Sequence, residues 1–244
     1  MPLDHDEVEA FRRAREAVLE RIAEAARRSG RDPGGVTLVA VSKTVAPNRI
    51  RAAVAAGLTV LGENRVQEGA AKIPHVAGAQ WHLLGPLQAN KARRAVELFD
   101  VLEAVGSLEL AERLDRVSSD LRPGRPLPVL LQVNVAGDPA KSGFDEAGIE
   151  ATLPHLASLR GLRLDGLMTI GRLVHTAQEA RPTFRALRVL SGRLRAVEPR
   201  LGPALSMGMS DDYEVAVEEG ATIVRVGRAL FGERPRPAAA DPAR

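Results

Sequence analysis

Residues 36–44 read Val-Thr-Leu-Val-Ala-Val-Ser-Lys-Thr (VTLVAVSKT), an apolar and β-branched run closed by a single lysine. Gly34 and Gly35 stand in front of it and Pro47 behind, so it reads as a strand buried on both faces, as in a parallel sheet. Lys43 then sits at the carboxyl end of that strand. An ammonium there is costly to desolvate, so it either reaches an anion or stays neutral for chemistry with a carbonyl group. The chain has 34 basic residues, yet only Lys43, Lys72, Lys91 and Lys141 are lysines. Arginine serves wherever plain positive charge suffices. A lysine at the mouth of a core strand marks a place for what arginine cannot do, which is to lose its proton or form a Schiff base.

Outward from this strand the same period repeats. Residues 5–29 read as an amphipathic helix with Val8, Phe11, Ala14, Val18 and Ile22 on one stripe, ended by Ser29-Gly30 and expected to pack across one end of the sheet. After the first strand, helical patterns cover 47–56, 65–73, 88–98, 107–121, 144–159, 175–198 and 211–219. Between them, strand patterns cover 58–62, 80–85, 99–105, 129–135, 162–170, 204–209 and 223–226, with a helical turn at 228–231. The prolines of LRPGRPLP (121–128) predict a surface loop without regular pairing. Eight strands alternating with helices predict an α/β protein, a (β/α)8 TIM barrel; a doubly wound open sheet is the alternative. The expected organisation is an N-terminal helix in 1–35, a barrel in 36–232 and a flexible Pro/Ala-rich tail in 233–244.

The composition excludes several classes. At 244 residues and 45% apolar content, a substantial core is available, and no run reaches the roughly 20 apolar residues that span a bilayer. The acidic N-terminus MPLDHDEVEAF does not read as a secretory signal, so a cytoplasmic protein is expected. With no cysteine there is no thiolate chemistry, and five histidines without ligand spacing argue against a metal site. The net charge is +3, arginines alternate with glutamates along helices, and aromatic residues are too scarce to stack bases, so nucleic acid is not the expected partner.

In a barrel, reactive groups come from the carboxyl ends of strands and the loops after them. Those positions are Lys43, Glu63 and Asn64, His82 and the GPLQANK loop, Asn134, Met168, Ser206 to Ser210 and Arg225 to Arg228. Strand seven runs into Ser206-Met-Gly-Met-Ser210 and strand eight into Gly227-Arg-Ala, where backbone N–H groups can hold a phosphate. Ser210 as a simple helix cap and Gly227 as a turn glycine is the alternative reading. A lysine opposite a phosphate site suggests a phosphorylated aldehyde held as an imine. If that ligand is pyridoxal 5′-phosphate, Arg225 beside the ring nitrogen would keep the nitrogen unprotonated, because a cation disfavours a second positive charge nearby. An ion pair between Arg225 and Glu218 or Glu219 is the competing reading, Glu63 could pair with Arg65, and Trp81 and His82 read as a core aromatic and a hydrogen-bonded histidine.

The segments VAVSKT (39–44), GENRVQE (62–68), WHLLGPLQANK (81–91), KSGF (141–144), GLM (166–168), LSMGMSDD (205–212) and VRVGRALFG (224–232) resemble, in order, those of the pyridoxal phosphate homeostasis proteins, the YggS-like or PROSC family. The resemblance implies a fold-type III barrel similar to the N-terminal domain of alanine racemase, with pyridoxal 5′-phosphate as a Schiff base on Lys43. It further implies that Asn64, Ser206, Ser210, Gly227 and Arg228 line the cofactor and its phosphate and that Arg225 faces the pyridine nitrogen. Departures from the family pattern are Arg65 and Arg228, where tyrosine and threonine are more usual, and the continuation of GLM as Thr-Ile-Gly-Arg.

The role implied is intracellular cofactor homeostasis without established catalytic turnover, by a monomer whose partners are the cofactor and apo pyridoxal-phosphate enzymes as recipients. Racemisation needs an acid/base on each face of the imine. The chain is expected to end with the barrel, and its one tyrosine, Tyr213, is expected to pack against neighbours rather than reach a substrate. A small racemase or lyase using the same lysine is the alternative, and a cofactor-free class I aldolase is a third reading.

Overall fold

The computed structural model describes residues 3–138, 141–171 and 174–232. The expected tail 233–244 and Arg172 lie outside the described residues. Eight parallel strands close into a barrel, each paired with the next and β8 with β1. They are β1 (Thr37–Val41), β2 (Val60–Glu63), β3 (Gln80–Leu83), β4 (Val101–Val105), β5 (Leu127–Gln132), β6 (Leu162–Met168), β7 (Ala204–Met209) and β8 (Ile223–Val226). Closure, with Val39 opposite Arg225, rules out the open sheet.

The first helix, α1 (His5–Arg28), precedes β1. The others follow their strands: α2 (Pro47–Ala55), α3 (Val66–Lys72), α4 (Ala92–Leu98), α5 (Leu108–Leu121), α6 (Glu146–Ser158), α7 (Arg181–Val197), α8 (Tyr213–Glu218) and α9 (Arg228–Phe231). Because α9 is a single turn, the seam between β8 and β1 lacks a covering helix of its own. The apolar stripe of α1, Val8, Phe11, Val18, Ile22, Ala25 and Ala26, packs there against α2, α8 and α9. The first helix therefore belongs to the outer helical layer rather than lying across one end. Phe11 meets Phe231 edge to face at 5.5 Å and ties it to the last turn.

Three of the further differences from the sequence reading have a local cause. Leu127 and Pro128, expected in a loop, open β5. Leu127 donates its N–H to Gly161 O (2.9 Å), so the ring nitrogen of Pro128 faces the other side, where pairing with β4 begins only at Val129. The missing donor costs no ladder bond there. The helix expected from 175 begins at Arg181 after a 3-10 turn, with Pro182 in its first turn where its missing N–H is not needed. The helix expected from 211 begins at Tyr213, because Asp212 turns its carboxylate back to accept Met209 N–H at 2.6 Å.

Strand alternation sorts the side chains into two cores. Most apolar residues lie between strands and helices, among them Leu61, Trp81, Leu102, Leu131 and Tyr213. A smaller cluster of Val101, Ala104, Leu130 and Met168, with Ile170, Ala204 and Ile223 against it, forms a separate core from residues of the strands.

Candidate functional site

Two residues beyond β1, Lys43 lines a cavity of about 250 Å³ together with Val41, Thr44, Gly227 and Arg228. Just past it the chain turns away, with Thr44 at φ +66°. A β-branched residue in the left-handed region costs on the order of 1–3 kcal/mol and persists only where surrounding contacts impose it. Those contacts are present. The Thr44 hydroxyl donates to Lys43 O (2.5 Å), and the Thr44 N–H donates to the Glu68 carboxylate (3.3 Å).

Directly behind Lys43, on the outer side of the barrel, lies a buried polar cluster. Ser42 donates from Oγ to Glu63 Oε1 (2.7 Å), and Lys72 Nζ on α3 donates both to Glu63 Oε1 (2.8 Å) and to Ser42 O (2.9 Å). The partner of Glu63 is thus Lys72; Arg65, the candidate in the sequence, is exposed. Glu63 Oε2 has no hydrogen-bond partner among the described residues. Burial pushes this carboxyl above its ordinary pKa, only partly offset by Lys72 and Ser42.

Across the cavity, β7 runs through Met209 into the turn that begins at Ser210. Within β7, Gly208 sits at φ +89°, and a Cβ there would lie 2.5 Å from Ala216 Cβ and 2.9 Å from Tyr213 Cα, so only glycine lets the end of the strand pack onto α8. A register shift between β7 and β8 falls in the same place, with Ser206 opposite Ile223 but Met209 opposite Arg225. Ser210 Oγ accepts the Gly227 N–H at 3.2 Å, which joins the loops after the last two strands. The N–H groups at the start of α9 lack carbonyl partners within the helix, as at any helix start. Arg228 turns its guanidinium outward to Asp211, so its side chain is held at the rim by an ion pair and its backbone opens α9.

Ser206 and Arg225 are buried below this mouth. Arg225 donates from Nη1 to Ser206 Oγ (2.5 Å) and from Nη2 to Thr169 O (2.8 Å); Ser206 donates to Glu103 Oε2 (2.5 Å); and Glu103 Oε1 takes His82 Nδ1 at 2.6 Å. The four side chains form a polar rung across the barrel, from β3 through β4 and β7 to β8. Burial alone would push Glu103 upward, but His82, Arg225 and Ser206 outweigh it and hold the carboxyl below its ordinary value. Glu218 and Glu219 pair instead with Arg28, Arg181 and Arg188, so the ion-pair reading of Arg225 with them is excluded.

The candidate residues therefore fall into three groups. Lys43, Gly227 and Arg228 share the cavity, with Ser210 bonded to it; Ser206 and Arg225 lie in the rung beneath; Asn64 lines a neighbouring depression with Leu87, Gln88 and Lys91. The loops after β2 and β3 meet closely there, since a Cβ at Gly85 would stand 2.2 Å from Asn64 O. Asn134 is spent on its own loop, donating to Asp138 O at 2.8 Å. Trp81 is buried in the outer core, and Tyr213 is buried against α1 under the Arg21 guanidinium. Among the described residues, no three histidine, aspartate or glutamate side chains gather as a metal site needs.

Sequence reasoning did not find Lys72, Glu68 or Glu103 as parts of the site. Glu103 carried a signal, an acid inside the apolar strand VLEAV. Lys72 carried another, since the scarcity of lysine that singled out Lys43 applies equally to it.

The alanine racemase N-terminal domain family matches residues 14–235. The pyridoxal phosphate homeostasis protein of Escherichia coli strain K12 is 41% identical over 224 residues, 89% of this chain and 94% of that protein. The solved structure of PipY from Synechococcus elongatus PCC7942 with PLP bound is 45% identical, with a TM-score of 0.77 over 86% of this chain and all of that one. An alanine racemase of Clostridium difficile 630 in complex with cycloserine shares the fold alone, at 15% identity and a TM-score of 0.69 over 89% of this chain and 60% of that one. A closed barrel with a lysine at the mouth of its first strand, matched along nearly its whole length at this identity, belongs to the pyridoxal phosphate homeostasis proteins of the alanine racemase N-terminal domain family.

Proposed function

We propose that the protein binds pyridoxal 5′-phosphate at Lys43 and serves cofactor homeostasis, without catalytic turnover of its own. The observation that carries this reading is the single cavity that brings the Lys43 side chain to the Gly227 turn and the start of α9. The residues fit the group: a glycine backbone and a helix start suit a phosphate, and Lys43 lines the same cavity. When bound, the cofactor supplies an aldehyde that a neutral lysine amine takes up as a C=N bond with release of one water.

The chain's own residues then divide the work. Ser210, by accepting the Gly227 N–H, fixes the loop that would hold the phosphate, and the Arg228 guanidinium, paired with Asp211, is held at the rim. Arg225 is held by Ser206 and Thr169 with its charge balanced by Glu103, so it can face a ring nitrogen without handing over a proton. Asn64 borders the approach from the β2 side. A second acid/base for racemisation has no candidate in Tyr213, whose phenol is buried behind α8 and held above its ordinary pKa by burial. Apo pyridoxal-phosphate enzymes are the proposed recipients.

The test is the visible absorption of protein loaded with pyridoxal 5′-phosphate, before and after borohydride, with the modified peptide located by mass spectrometry. The expected result is a borohydride-fixed ring on Lys43 and none in Lys43→Ala. Uptake unchanged in Lys43→Ala overturns the assignment, and α-proton exchange of an amino acid in heavy water, lost in that variant, would favour the racemase or lyase reading.

A further inference from the structure

The lysine at the cavity is flanked on both sides by backbone groups that are pinned from behind. Ser42, which precedes it, gives its carbonyl to Lys72 Nζ at 2.9 Å, its hydroxyl to Glu63 at 2.7 Å and its N–H to Gly62 O at 3.0 Å. Thr44, which follows it, is kept at φ +66° with its N–H on Glu68 Oε2 at 3.3 Å. Lys72 links both anchors, because its Nζ also lies 3.6 Å from Glu68 Oε2. Lys72 is 7% exposed, an unusual place for an ammonium, and a buried pair such as Glu63–Lys72 can be exchanged as a whole for apolar residues at little cost to the fold. What an apolar residue could not do is hold the Ser42 carbonyl, and with it the peptide plane that carries the Lys43 nitrogen.

We propose that Lys72 and Glu68 are positioning residues for Lys43: through the backbone of Ser42 and Thr44 they fix the direction in which the Lys43 side chain leaves β1. This rests on the proposed uptake of the cofactor aldehyde by Lys43. Neither residue lines the cavity that holds Lys43, Gly227 and Arg228; Glu68 borders the neighbouring depression with Asn64, and both residues reach Lys43 through the backbone on either side of it. The geometric consequence is specific. Loosening the bracket penalises a ligand that must form a bond to Lys43 and spares one that only occupies the phosphate and ring positions.

The experiment compares the affinity of the full chain for pyridoxal 5′-phosphate with that for pyridoxine 5′-phosphate, which has an alcohol in place of the aldehyde. The variants are Lys72→Met, Glu68→Ala at the half-exposed edge, and the double variant Glu63→Gln with Lys72→Met, which leaves no charge buried should Lys72→Met alone fail to fold. Loss of one hydrogen bond to a charged group predicts aldehyde binding weaker by about tenfold in Lys72→Met and in the double variant, and by less in Glu68→Ala. Alcohol binding stays at the wild-type value. Equal loss of both ligands shows general damage and overturns the proposal, as does unchanged affinity for both. Wild-type protein that gives no borohydride-fixed ring on Lys43 sinks the Lys43 assignment and this inference together, whereas normal fixation with unaltered variants sinks this inference alone.

Discussion

Glu63 and Glu103 are both 0% exposed, each sits on a barrel strand, and each is hydrogen-bonded to a group that can carry positive charge, yet burial wins at one and loses at the other. The difference lies in how the oxygens are used. Glu103 has a partner on each oxygen, His82 on Oε1 and Ser206 on Oε2, with the Arg225 charge beyond. Glu63 takes both Lys72 and Ser42 on Oε1 and leaves Oε2 with no partner among the described residues. Two buried carboxyls of equal exposure thus part company because Glu103 has a partner on each oxygen and positive charge from His82 and Arg225 nearby, whereas Glu63 has partners on one oxygen and the like charge of Glu68 beside it. The inner rung is built to keep a charge, and the outer cluster to hold a backbone.

The largest expected effect comes from breaking the inner rung. Arg225→Met takes away the nearby charge that helps keep the buried Glu103 ionised and leaves Ser206 and the Thr169 carbonyl without their donor, and should cost about 3–5 kcal/mol in urea unfolding. Lys72→Met should cost less, about 1–3 kcal/mol, because a carboxyl already pushed upward can take a proton when its partner is lost. A Lys72→Met cost equal to or above that of Arg225→Met would break the comparison.

The smallest effect is in the pH dependence, and its sign is the sharpest check. Glu103 is depressed in the folded state, so its contribution is present above the unfolded carboxylate value of about 4.3 and is lost as pH falls through the folded value. The destabilisation caused by Glu103→Gln should therefore grow as pH rises. Glu63 is raised, so its contribution is complete below the unfolded value and is lost as pH rises through the folded value. The stability difference should then move in favour of Glu63→Gln as pH rises. Urea unfolding of the two variants and wild type across the acid-to-neutral range measures both slopes, and slopes of the same sign would refute the contrast.

Much of the site could be read in the sequence because its pieces are local. Lys43 ends an apolar run, Gly208 lies at the end of β7 just before Ser210 and Gly227 opens one turn, so strand ends and glycines announced them. The partners were not announced. Glu103 reaches Ser206 across 103 residues and Lys72 reaches back 30 residues to Ser42, and no periodicity carries such distances. The role of α1 was misplaced for the same reason, since its amphipathic stripe shows that it must be covered but not by which elements.

By itself the sequence determined the alternation of strands and helices, the barrel they imply and a lysine where arginine would not serve, because each follows from local period and side-chain chemistry. The tertiary structure alone decided that the barrel closes with β8 on β1, that Glu63 pairs with Lys72 rather than Arg65, and that Arg225 turns inward to Ser206 rather than outward to Glu218 or Glu219. Those outcomes depend on which polar groups find one another once water is removed, and that choice is made only when distant strands are brought side by side.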